Sequence, residues 1–99
     1  MSTLYEIKTI DFKGSKKPSR AMIMRAIGEV LKGGVKAIEV LYGENWIDLD
    51  FNEHSSQWFG RGWIKNISGE DIAKELNEIR TLAIKQIKEH RELLNLWNT

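Results

Sequence analysis

Residues 68–97, SGEDIAKELNEIRTLAIKQIKEHRELLNLW, read as one long amphipathic helix, and the rest of the fold has to be arranged around it. Ser68 stands where an N-cap is wanted, with a hydroxyl that accepts a first-turn backbone N–H. Glu70 and Asp71 put negative charge at the positive end of the helix dipole. Ile72, Leu76, Ile79 and Ala83 recur at three- and four-residue intervals and make an apolar stripe. Beyond them the stripe drifts to Ile84, Ile87, Leu94 and Trp97, with Leu93 and Leu96 alongside.

A helix of about 29 residues is about 43 Å long, at about 1.5 Å per residue. A chain of 99 residues is the size of one ordinary domain, with a radius of gyration near about 13 Å and a diameter near about 35 Å. The helix therefore outruns its own domain, and Leu93, Leu94, Leu96 and Trp97 at its end lack a sheet to cover them. Three arrangements would hide them: a break near His90 with the end folded back, pairing with a second copy of the chain, or docking on a different protein. Large exposed apolar patches usually mark interfaces, which favours the last two. The candidate protein interface is Ile87, His90, Leu93, Leu94 and Trp97.

Upstream of this helix the pattern changes period. Residues 46–51 alternate cleanly, with Ile47, Leu49 and Phe51 on one face and Trp46, Asp48 and Asp50 on the other. Residues 35–42 are rich in β-branched side chains, and Gly43-Glu44-Asn45 between the two runs is a turn of hairpin length. Residues 57–67 continue the meander as a third strand, in which Gly60 and Gly62 mark a bulge or a close backbone approach. Residues 4–12 read as a first strand whose two halves, Tyr5 with Ile7 and Ile10 with Phe12, sit on opposite parities; a bulge near Lys8 would reconcile them. Ile23, Ala26, Ile27, Val30 and Leu31 form the apolar face of a first helix. That helix starts at Pro18 or Ser19, capped by Ser15 or a neighbour, and ends at Gly33-Gly34. The expected architecture is a single α+β domain over residues 1–99, of order β-α-β-β-β-α. A small antiparallel sheet is packed on one face by two helices, the second of them long.

Net charge is +1, so no global field draws the chain to DNA or to a membrane surface. The local distribution is uneven. Residues 1–34 hold seven Lys and Arg against three Asp and Glu, residues 35–67 three against five, and residues 68–99 five against six. Cysteine is absent, which removes disulfides, thiolate metal sites and a Cys nucleophile and fits a reducing compartment. The first eight residues lack the basic-then-apolar pattern of a signal peptide, and no apolar run approaches the roughly 20 residues that span a bilayer. A cytoplasmic protein without membrane contact and without a cofactor is expected.

Three weaker signals carry possible chemistry. Lys13, Lys16, Lys17 and Arg20 flank a helix start, where backbone N–H groups and cations together hold phosphate. The ending of a nucleotide-binding P-loop is missing, so a solvated basic loop is the plain alternative. Trp58, Arg61 and Trp63, with Phe59, bring aromatics and a guanidinium together on one strand, as in surfaces that stack bases. Core packing explains the same aromatics. With the basic loop they make a candidate nucleic-acid interface. Asp48 and Asp50, near Glu39, Glu53 and His54, are the one cluster with metal-ligand chemistry and the basis of a metal-dependent hydrolase alternative. A solvated strand face paired with Arg61 or Lys65 explains them as well. No nucleophile triad, dinucleotide loop or acid/base pair is visible. The expectation is a non-enzymatic interaction module that self-associates or docks through its last helix, with nucleic-acid binding as the alternative.

Overall fold

The computed structural model describes residues 6–14 and 16–97, the last four of them as helix without their side chains. Its order is β1 (Ile7–Asp11), α1 (Arg20–Leu31), β2 (Ala37–Tyr42), β3 (Asn45–Asn52), β4 (Gln57–Ile64), β5 (Ile67–Ser68) and α2 (Gly69–Trp97). The five strands lie side by side in chain order.

The sheet is mixed. β1 runs parallel to β2, with Ile7 opposite Ala37 and Asp11 opposite Leu41, and the remaining neighbours are antiparallel. The expected antiparallel sheet holds for three of its four strand pairs, and β1 and β2 are parallel because α1 lies between them. A helix crossover returns the chain to the end of the sheet from which it set out. β1 keeps an unbroken register, so no bulge lies within it. The parity conflict is resolved differently: Ile7 is on the uncovered face, 62% exposed, while Ile10 packs against the core. The turn at Lys65-Asn66 adds β5, two residues long, between β4 and the last helix.

One face of the sheet carries the core. Ile38 and Val40 of β2, Ile47 and Leu49 of β3, and Trp58 and Ile64 of β4 meet Ile23 and Ile27 of α1 and Ile72, Ala73 and Leu76 of α2. Both helices lie on this face, as the alternation and the helix stripes require. α1 is capped by Ser19, which accepts the Met22 N–H at 3.1 Å. It stops where Gly34 takes a φ of 73°. The β2–β3 hairpin closes through Gly43-Glu44, and Gly43 at φ 61° supplies the positive dihedral that a two-residue loop needs first.

α2 starts as expected, with Ser68 accepting the Asp71 N–H at 2.9 Å. Its first turn is pressed onto β4: a Cβ on Gly60 would overlap the Gly69 carbonyl, and one on Gly69 would overlap the backbone of Arg61. Arg20 ties α1 to the same region by pairing with Glu75 at 2.8 Å. Among the described residues no helix is long and apolar enough to cross a membrane.

Candidate interaction surfaces

α2 is continuous through His90, so the fold-back arrangement is not the one adopted. The sheet covers only its first three turns. Ile72 and Ala73 are buried and Leu76 is 6% exposed, whereas Ile79 is 51%, Leu82 59%, Ile87 55% and Leu93 58% exposed. Among the described side chains Arg80 is the last of α2 to be half-buried, its guanidinium 5.3 Å from the centre of the Phe51 ring. Every described side chain from Thr81 to Leu93 is exposed. The stripe does not end with the cover: at about 100° per residue, Ile79, Ala83, Ile87 and His90 fall in line with Ile72 and Leu76. Leu94 and Trp97 of the expected interface lie outside the residues whose side chains are described.

The projection changes the shape of the molecule. Its extents are 58 × 38 × 20 Å and its radius of gyration is 16.3 Å, where a compact domain of this length has about 13 Å. It exposes 7660 Å², against about 5,800 Å² for a compact monomer of its mass.

The second surface is the sheet face turned away from the helices. Strand register puts its side chains in three rows. Leu41, Trp46 and Trp63 stand beside Asp11 in the first. Thr9, Glu39, Asp48 and Arg61 make the second, and Ile7, Ala37, Asp50 and Phe59 the third. Trp46, Phe59 and Trp63 are 45%, 53% and 61% exposed. The Trp46 ring lies against Gly62, which at φ 89° has no Cβ to displace it. Arg61 reaches Asp48 at 4.0 Å, across the strands as the plain reading of that cluster has it. The strands of this face thus carry four carboxylates and one guanidinium, and Lys13 from the following loop approaches Asp11 at the corner, at 3.8 Å.

The candidate nucleic-acid residues separate in this arrangement. Trp58 points to the helix side, tilted against Phe51 with ring centres 5.4 Å apart, and it is a core residue that no base can reach. Strand parity sends it opposite to Phe59, Arg61 and Trp63. The basic loop crosses one end of the sheet and meets the open face at its Asp11 corner, through Lys13. There Lys17 donates to the Asn66 side chain at 2.7 Å, and Lys13 and Lys65 border an open groove of about 590 Å³ that also contains Asp11. Arg20 is held by Glu75, Lys13 lies 3.8 Å from Asp11, and Lys16 is exposed. Phosphate bound near this strand would meet Asp48, Asp50 and Glu39 before it met these cations.

Glu53 pairs with Lys36, which draws it away from Asp48 and Asp50. Among the described residues no group of three or more His, Asp or Glu converges on a point where a metal ion would sit. Sequence reading passed over Trp46, although its shared parity with Asp48 and Asp50 already placed it on the open face. It also passed over Leu82, which flanks the exposed stripe.

No family model, curated protein or solved structure matches the chain. The functional argument therefore rests on these two surfaces.

Proposed function

We propose that the chain is a non-enzymatic interaction module that self-associates through the projecting part of α2. The observation that carries this reading is the apolar stripe, which buries Ile72 and Leu76 beneath the sheet and then runs on, uncovered, through Ile79, Ala83 and Ile87.

The geometry supports an antiparallel orientation. The sheet occupies the stripe side of α2 at its N-terminal end. A second copy aligned in parallel would bring its own sheet to the same place and collide. An antiparallel copy puts the two sheets at opposite ends and lets each projecting segment cover the other. The positions Ile79, Ala83, Gln86, His90 and Leu93 follow the alternating four- and three-residue spacing of a two-helix seam, and Ile87 flanks that seam. Centred on Lys88, an antiparallel pair sets Ala83 against Leu93 of the partner subunit, small against large. It sets Gln86 against His90 of the partner subunit, an amide against an imidazole that exchanges a hydrogen bond with it.

Light scattering coupled to size exclusion tests the reading. The expected mass is twice the 11.5 kDa of one chain, falling to a single chain for Ile87→Glu. A single-chain mass for the unmodified protein at hundreds of micromolar would overturn it.

A further inference from the structure

We propose that the uncovered sheet face docks a cationic polypeptide segment, an extended stretch bearing Arg or Lys at alternate positions. This inference does not depend on the helix pairing, since the two surfaces belong to different elements.

Charge defines the class of partner. Glu39, Asp48 and Asp50 occupy the middle of the face; Asp11 stands at its corner, where Lys13 approaches it at 3.8 Å, and among the described strand residues of the face Arg61 is the one cation. That guanidinium stands at the outer limit of an ion pair with Asp48, at 4.0 Å, so four carboxylates face two cations and the surface keeps a net negative charge. In a protein of net charge +1, this acidity is a local property of one face. A phosphate backbone would be repelled here, and an ammonium or guanidinium attracted.

The aromatics sharpen the fit. Trp63 and Phe59 flank Arg61 along β4, and Trp46 stands beside Trp63. All three present ring surface to solvent within one or two residues of a carboxylate. An incoming cation thus finds a π face and a carboxylate side by side, and Arg stacks on Trp better than any other charged side chain. Gly62 seats the Trp46 ring against the strand backbone, so that ring is already in place before a ligand arrives. The spacing also matches. Asp48 and Asp50 are separated by two strand residues, about 6.7 Å, the same interval that separates alternate side chains of an extended peptide.

The test is a fluorescence-polarisation titration of a labelled, end-blocked (Arg-Ser)4 peptide at about 20 mM salt, with (dT)12 as a second probe. Saturable binding is expected for the peptide. It should weaken about tenfold or more in the Asp48→Asn/Asp50→Asn double variant, and about fivefold in Trp63→Ala, which leaves the charge untouched. Glu29→Gln, on the exposed side of α1 beside Lys32, should change nothing. Circular dichroism of each variant establishes that it is folded. Absence of peptide binding, binding indifferent to the carboxylate and Trp63 variants, or tighter binding of (dT)12 than of the peptide would each overturn the proposal. So would a dimer that survives Ile87→Glu and dissolves with Trp63→Glu, because the face would then belong to a second copy.

Discussion

Asn77 holds both backbone groups of Trp58, its side-chain oxygen accepting the Trp58 N–H at 2.7 Å and its amide donating to the Trp58 carbonyl at 3.0 Å. β5 covers β4 only at Trp63 and Ile64, so the edge at Trp58 has no strand beside it. One side chain of α2 takes the place of that strand. It also helps to fix the direction in which the helix leaves the sheet, since every described side chain beyond Arg80 is exposed. Asn77→Ala leaves a half-buried N–H and C=O unpaired and should cost about 2 kcal/mol, read from urea unfolding. A loss below about 0.5 kcal/mol would mean that water replaces the amide without penalty.

Gly60 lies where the first turn of α2 touches β4. Gly60→Ala forces a methyl group into the Gly69 backbone, which cannot rotate away as a side chain would. The expected loss is about 3 kcal/mol, again by urea unfolding. An unfolding midpoint unchanged from the parent would show that α2 can lift off β4 at little cost.

Lys65 adopts a φ of 56° in the β4–β5 turn. An L-residue with a side chain is strained there by about 1–2 kcal/mol, and glycine relieves it while making the unfolded chain more flexible. Lys65→Gly should therefore raise stability by a net amount of about 0.5 kcal/mol, seen as a higher melting temperature. A lower one would place the energetic role of Lys65 in its side chain.

Much of this fold was legible in the residues. The alternation of Ile47, Leu49 and Phe51 against Trp46, Asp48 and Asp50 specified the β3 faces, because a period of two has only two solutions. Ser68, Glu70 and Asp71 marked the start of α2 within one residue. The orientation of β1 was misread, although a helix between two strands is itself the mark of a parallel crossover. Parity separated Trp58 from Phe59, Arg61 and Trp63 without saying which set would be covered. That was decided by the position of α2 over Trp58, a tertiary fact with no local signature. β5 is too short to leave a pattern, and the internal pairing of Lys17 and Arg20 depends on partners 49 and 55 residues away.

If α2 pairs with a second copy, unfolding and dissociation are linked. The melting temperature of the unmodified chain should then rise with protein concentration, while that of Ile87→Glu stays constant. Ile72→Ala, in the buried part of the same stripe, should instead lower the melting temperature at every concentration, by the equivalent of about 3 kcal/mol. A concentration-independent melt for the unmodified chain would separate the stripe from self-association.

Cross-linking reads the helix pairing itself, and a chain without cysteine makes the experiment clean. In the antiparallel register Ala83 faces Leu93 of the partner subunit, while the two copies of position 83 stand about 15 Å apart along the axis. The double variant Ala83→Cys/Leu93→Cys should form a covalent dimer under mild oxidation, and Ala83→Cys alone should not. Cross-linking of the single variant, or none in the double variant, would contradict the account.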